Sequence, residues 1–222
     1  MRVLICGAAP EPGGDAHYRA LLAGVDRVVA ADAGAEWAVA LDRVPDLAVG
    51  DFDSAVPGAA DRLRALGVEV LAYSRAKDYS DLDLAVSAAR EQGADTLTFT
   101  AVSSLRLDHT LAALGTLARA ADLRSALDEP SVAGWALDAD SRPEIGLAGP
   151  PGAIVSVFAL GAEAGGVTLG GMRFPLTAAR LDPLSSHGLS NELRGGPASV
   201  TVRSGRLLVL SPGMPSARAR LV

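Results

Sequence analysis

Five short apolar runs, at residues 2–6, 27–31, 47–49, 69–71 and 96–100, alternate with alanine-rich stretches of helical length over the first part of the chain. A strand that is apolar without alternation is buried on both faces, so a sheet of such strands needs helices to cover it. The pattern predicts an α/β N-terminal domain, a mainly parallel sheet with flanking helices over 16–23, 36–41, 59–66, 80–92 and 108–121. Gly67 and Gly93 directly follow two of these stretches and read as helix stops. Past Ser131 the texture changes: glycine and proline rise, helical periodicity fades, and runs at 154–160, 166–169, 198–202 and 206–210 are separated by turn residues. That predicts an all-β C-terminal domain of sandwich type, with the boundary placed at 1–128 and 129–222.

No apolar stretch approaches the ~18 residues of a membrane span, and the opening Arg2-Val3-Leu4-Ile5-Cys6-Gly7 lacks a signal-peptide plan, so a cytoplasmic protein is expected. The mean hydropathy of +0.26 does not oppose this, because alanine and glycine supply much of it and aromatics are only 4%. Cys6 is the single cysteine and lies in an apolar run, which predicts a buried thiol. A net charge of −6 and a pI near 5.0 argue against a nucleic-acid partner, whose phosphates need clustered cations.

The chemistry gathers around Gly50-Asp51-Phe52-Asp53-Ser54. If the strand before it stays extended through Phe52, Asp51 and Asp53 point the same way. Asp78, Asp81 and Asp83 follow Lys77, the chain's only lysine, at the opening of an expected helix, where their spacing would put Asp78 and Asp81 on one face. Two carboxylates ~4 Å apart repel by roughly 4 kcal/mol at an effective dielectric near 20, so a pocket that collects several needs a cation. Mg²⁺ with bound phosphate fits, since it takes one or two carboxylates and completes its octahedron with water and substrate oxygens. Polar residues also follow the other runs: Gly7, then Asp32-Ala33-Gly34, then Arg106-Leu107-Asp108-His109, which is the ligand-binding edge of an open parallel sheet. Lys77 has no glycine-rich lead, which excludes a P-loop, and no dinucleotide fingerprint follows any strand. One cysteine and the dispersed His17, His109 and His187 give zinc little support.

Taken in order, Asp32-Ala33-Gly34, Pro45 through Ser54, Lys77 through Asp83, Arg106 through Thr110, Gly171 through Leu176 and Ser185 through Glu192 resemble the thiamine pyrophosphokinase family along nearly the whole chain. The resemblance implies Mg²⁺-dependent transfer of a pyrophosphoryl group from ATP to thiamine by a homodimer with shared sites. It implies a metal and phosphate cluster of Asp51, Asp53, Asp78 and Asp81, with Asp32 and Ser54 beside it. Ser190 and Asn191 are similar to the family's thiamine-contacting pair, reached from the partner subunit. Lys77 and Arg106 are the cations available for phosphate oxygens. Asp108 is either catalytic or a helix cap, His109 either touches nucleotide or is solvated, and Trp135 either stacks on a ring or fills the core. The chain departs from the family at Ser104-Leu105, where a glycine pair is usual, which bears on the nucleotide pose. The same fold with a pterin alcohol as acceptor, and a non-catalytic nucleotide or thiamine sensor, are the rival readings.

Overall fold

A computed structural model describes residues 1–52 and 57–213 and the backbone of 219–220. The chain divides into two compact units, Met1–Thr116 and Leu117–Val222, ahead of the 128/129 boundary drawn from sequence.

The first unit runs β1 (Arg2–Cys6), α1 (Asp15–Ala23), β2 (Arg27–Ala31), α2 (Gly34–Ala40), β3 (Leu47–Gly50), α3 (Ala59–Ala65), β4 (Glu69–Ala72), α4 (Asp81–Glu91), β5 (Thr96–Thr100) and α5 (Leu107–Arg119), the division falling inside α5. Its strands lie in the order β5-β1-β2-β3-β4, every neighbouring pair parallel, in registers such as Val3 opposite Arg27 and Leu47 opposite Glu69. The interior strands are buried almost end to end, which is why they read as unbroken apolar runs. Leu4, Cys6, Val28, Ala30 and Ala48 of the sheet pack with Tyr18, Ala38 and Leu63 of the helices, and Cys6 is fully buried as expected. Alanine faces such as Ala85, Ala88 and Ala89 of α4 let the helices lie close to the strands. Gly67 and Gly93 take left-handed φ of +84° and +82° just past α3 and α4, a conformation that costs an L side chain about 1 kcal/mol.

Among the described residues the second unit is built of β-strands after a 3₁₀ turn at Ala121–Leu123, with a further 3₁₀ turn at Ser186–Gly188. Its strands are β6 (Ala126–Asp128), β7 (Val132–Asp138), β8 (Glu144–Leu147), β9 (Ile154–Ala159), β10 (Ala164–Gly170), β11 (Leu176–Leu181), β12 (Asn191–Glu192), β13 (Ala198–Thr201), β14 (Arg206–Pro212) and β15 (Ala219–Arg220). One antiparallel sheet has the order β12-β9-β14-β7-β6, and another has the order β11-β10-β13-β8-β15. A single apolar core draws on both, from Trp135, Leu137, Val157 and Val209 to Ile145, Val167, Leu169 and Val200. Trp135 is therefore a core residue. Among the described residues no helix is long and apolar enough to cross a membrane.

Two charged side chains tie down the turn after β7. Arg142 is buried and donates through Nη1 to the carbonyls of Ser125 at 3.0 Å and Ala136 at 3.3 Å; burial, with repulsion from Arg124, lowers its pKa to about 10, so it stays charged near neutrality. Asp138 accepts from Arg206 Nε at 2.7 Å and from the Asp140 and Ser141 amides and the Ser141 hydroxyl at 3.1–3.2 Å. The Arg206 hydrogen bond, helped by the turn donors, outweighs burial and holds the Asp138 carboxyl below its ordinary 3.8. A depressed folded pKa adds stability that is present above the unfolded value and lost as pH falls through the folded one. Asp138→Asn is accordingly expected to cost about 2 kcal/mol at pH 7. In thermal melts that difference should shrink as the pH drops below the unfolded carboxyl pKa of about 4; a pH-independent gap would disprove the assignment.

Candidate active site

The carboxyl edge of the parallel sheet is shaped by residues with left-handed backbones. Asp32 directly follows β2 with φ 49°, Phe52 lies just past β3 with φ 56°, and Ala101 directly follows β5 with φ 54°. Each turns the chain sharply off its strand. At Phe52 this ends the extended geometry, so the alternation that was to aim Asp53 alongside Asp51 does not operate; Asp53 and Ser54 lie outside the described residues. The Asp32 amide donates to the Val49 carbonyl at 2.9 Å, which brings the end of β2 against β3. A Cβ on Gly50 would stand only 3.1–3.3 Å from the Asp32 backbone and Cβ, so glycine is what lets Asp32 close on this strand. Gly34 has still less room, its Cβ position lying 2.5 Å from the Gly7 carbonyl oxygen; it is the first residue of α2, two residues ahead of the start read from sequence.

At this edge Asp32, Asp51 and Asp81 come together, one carboxylate oxygen from each within 4.8 Å of the others, all half-buried. Lys77 Nζ reaches into the same group, 2.7 Å from Asp81 Oδ1 and 3.3 Å from Asp51 Oδ2. Burial works against this ammonium, but the hydrogen bonds and charges of Asp81 and Asp51 prevail and raise its pKa above the ordinary lysine value. Three carboxylates facing one ammonium leave a negative site, and hard oxygen donors suit Mg²⁺ better than a softer ion. Asp32, expected beside the cluster at the same edge, lies within it.

Asp81 opens α4, where the helix dipole favours a carboxylate, and the helix end is fixed from both sides. Ser80 caps it, its Oγ accepting from the Asp83 amide at 3.1 Å and donating to Asp83 Oδ2 at 2.8 Å, while Thr116 Oγ1 donates to Asp83 Oδ1 at 2.7 Å. Asp83 thus serves the scaffold. Asp78 precedes the cap, exposed and outside the helix, so the shared face expected of Asp78 and Asp81 does not form.

Arg106 and Asp108 form a two-pronged ion pair, Nη2–Oδ2 2.7 Å and Nε–Oδ1 3.3 Å, with both side chains about two thirds exposed. The Arg106 hydrogen bond holds the Asp108 carboxyl below its usual range. Asp108 lies inside the first turn of α5 rather than at its cap, and His109 beside it is exposed. Just before them Thr110 Oγ1 accepts from the Ser104 amide at 3.0 Å and donates to its carbonyl at 3.1 Å, and Ser104 Oγ makes the same two-way contact with the Arg106 backbone. Neither Ser104 nor Leu105 has positive φ. Restoring the family's pair by Ser104→Gly with Leu105→Gly should therefore destabilise the protein by about 2 kcal/mol, through lost hydrogen bonds and added unfolded-state entropy. A melting temperature equal to the wild type would show that this loop is not held as described.

In the second unit Asn191 is only 3% exposed. Its Oδ1 accepts from the amides of Phe174 at 3.0 Å and Glu192 at 2.9 Å, and its Nδ2 donates to the Phe174 carbonyl at 2.7 Å. The side chain expected to contact substrate is thus committed to the backbone of the Arg173-Phe174 turn. Ser190 is exposed, with φ 55° and its amide on Ser156 Oγ at 3.0 Å. The Phe174 ring is 57% exposed, with the Arg173 guanidinium 5.3 Å from its centroid and in turn 3.0 Å from both oxygens of Glu192. Sequence reasoning named this turn without giving Phe174 a role; its signal is an aromatic placed before proline in a chain with few aromatics.

A parallel sheet whose carboxyl edge gathers three aspartates and a lysine, joined in one chain to an antiparallel unit, defines the class: a protein of one α/β unit and one all-β unit. Residues 18–127 match the thiamin pyrophosphokinase catalytic domain, and residues 143–207 match the thiamin pyrophosphokinase vitamin B1 binding domain. The chain belongs to the thiamin pyrophosphokinase family and is an enzyme of that kind. Among solved structures it is similar to the thiamine pyrophosphokinase of Bacillus subtilis, at TM-score 0.79 and 21% identity over 96% of this chain and 99% of that one. The Geobacillus thermodenitrificans enzyme gives TM-score 0.75 and 22% identity over 98% and 100% of the two chains. The Candida albicans enzyme gives 0.74 and 13% over 95% and 88%. No curated protein sequence matches the chain.

Proposed function

We propose that this protein transfers the pyrophosphoryl group of ATP to the hydroxyl of thiamine, with Mg²⁺ bound, giving thiamine diphosphate and AMP. The observation that carries the reading is the convergence of Asp32, Asp51 and Asp81 around one point with Lys77 among them, in a chain that matches both regions of the family. The thiamine oxygen attacks the β-phosphorus in line, the bond from that phosphorus to the bridging oxygen on the AMP side breaks, and the hydroxyl proton is lost. Such a transfer leaves the protein little covalent work, so positioning and charge neutralisation supply most of the rate. Bound Mg²⁺ would neutralise phosphate charge as it develops.

Asp32, Asp51 and Asp81 are the residues that would hold the ion, with Asp53 and Asp78 as further proposed members of the set. Arg106 already grips a carboxylate with its planar fork and can offer the same fork to phosphate oxygens, with Asp108 and His109 beside it on the nucleotide side. Ser190 and the Phe174 ring offer thiamine a hydroxyl and an aromatic face, and Asn191 holds that ring's backbone in place. The working form is a cytoplasmic homodimer with shared sites, a state that sedimentation equilibrium measures directly.

The deciding experiment is a turnover assay with Mg-ATP and thiamine that follows AMP and thiamine diphosphate together. Equal amounts of both products are expected. AMP without thiamine diphosphate, or turnover only with a pterin alcohol, would replace the acceptor; no turnover by folded protein would favour the sensor reading.

A further inference from the structure

From Ala72 to Ser80 every residue is exposed except Lys77, which turns inward to the carboxylates with a side chain only 15% exposed. The segment between β4 and α4 is thus joined to the sheet edge by the Tyr73 amide, which donates to the Gly50 carbonyl at 2.9 Å, and by the Lys77 ammonium. That ammonium lies within ion-pair distance of Asp51 and Asp81, two of the three carboxylates that would hold a divalent ion. The converging oxygens are all within 4.8 Å of one another, so they enclose room for one cation. A second cation in the same group would be separated from the first by only a few ångströms, and the repulsion between a single and a double positive charge at that distance is severe in a half-buried site. Lysine is suited to leave: its charge sits on a flexible stem, and its ammonium gives up one set of oxygens for another without needing a planar fit.

We infer that Lys77 is a tethered stand-in for the metal: its ammonium and the divalent ion are alternative occupants of the Asp51–Asp81 pair, and entry of the ion releases Lys77 outward to meet the phosphates that arrive with it. The inference rests on the metal reading of the carboxylate cluster given above. It gives the chain's only lysine two successive partners of the same charge class, first carboxylate, then phosphate. It also makes the metal bind poorly until the lysine has somewhere else to go, which couples ion binding to the arrival of the nucleotide.

The test is Mn²⁺ binding followed by electron paramagnetic resonance, without nucleotide, in wild type, Lys77→Met and Lys77→Arg, each checked for an unchanged melting curve. Removing the competing charge should tighten Mn²⁺ binding by about tenfold or more in Lys77→Met, whereas Lys77→Arg keeps a cation and should bind like the wild type. In parallel, acetylation of the wild-type protein, read at the Lys77 peptide by mass spectrometry, should speed up several-fold on Mn²⁺ saturation, with Met1 as internal reference. Equal or weaker Mn²⁺ binding by Lys77→Met, or a Lys77 that saturating Mn²⁺ protects from acetylation, overturns the exchange and leaves the metal reading intact. Failure of all three proteins to bind Mn²⁺, even with ATP added, overturns the metal reading and the exchange with it.

Discussion

Asp51→Asn is expected to reduce turnover by ~10²-fold or more while the protein melts at or slightly above the wild-type temperature. The amide keeps the shape of the side chain and removes its charge, so what is lost is the site's capacity to hold a divalent ion against the transferring phosphates. Folding follows the opposite logic. Asp32, Asp51 and Asp81 crowd their oxygens within 4.8 Å, and each pair of like charges opposes the folded state. Lys77 relieves part of this through Asp81 at 2.7 Å, and that shorter contact survives the substitution. The measurement is steady-state turnover over a range of Mg²⁺, set beside a thermal melt of the same preparation. A variant that folds and turns over normally would remove Asp51 from the mechanism, while one that loses activity only because it unfolds would show in the melt.

Asn191→Ala is expected to show the reverse pattern, a large loss of stability together with a weaker grip on thiamine. The side chain is buried and satisfies both the amide and the carbonyl of Phe174. Truncation leaves two backbone groups of a tight turn without partners, at about 1–3 kcal/mol each where no water replaces the amide. For a chain of this size that amounts to a fall of roughly 10 °C in melting temperature. Freed from Asn191, the Phe174 ring no longer sits in a fixed place, and the thiamine KM should rise more than the ATP KM. Ser190→Ala supplies the contrast: an exposed hydroxyl is removed, so the KM for thiamine should move with no change in the melt. If Asn191→Ala melts like the wild type, the hydrogen bonds to Phe174 do not hold that turn. If Ser190→Ala leaves the thiamine KM unmoved, that hydroxyl does not touch substrate.

β1, β2 and β5 were legible to the residue because a parallel strand covered on both faces is rich in apolar and β-branched residues, with a polar residue or turn marking where each run begins and stops. The antiparallel unit was legible only in part. β7 is its most buried long strand, yet Gly134 interrupts its β-forming residues, and β11 exposes most of its length and carries little apolar signal. At the site, residue types were easier to read than directions. The aspartates and Lys77 stood out as a charged group, but the backbone at Phe52 is left-handed rather than extended, and the cap at Ser80 left Asp78 outside the helix. A periodicity argument holds only while the backbone stays regular, and ligand sites occur where it stops. Asp32 joined the cluster through the closeness of neighbouring strand ends, a relation between distant residues that no local pattern carries. Asn191 was named as a substrate contact, but polarity alone does not tell a side chain that faces a ligand from one that faces its own backbone.

The left-handed residues that end β2, β3 and β5 also set a limit on how this protein can be improved. Ala101 and Phe52 in particular occupy a region that glycine enters freely and that costs other residues about 1 kcal/mol or more. A directed-evolution campaign that rewarded heat resistance alone would find glycine attractive at Ala101, where only a methyl is lost, and not at Phe52, whose ring packs against the core. That replacement would slacken the turn after β5, where the Ala101 carbonyl accepts from the Ala9 amide at the same carboxyl edge. Durability and the shape of the sheet edge thus share a torsion angle, and selection for shelf life without selection for turnover would loosen that edge first.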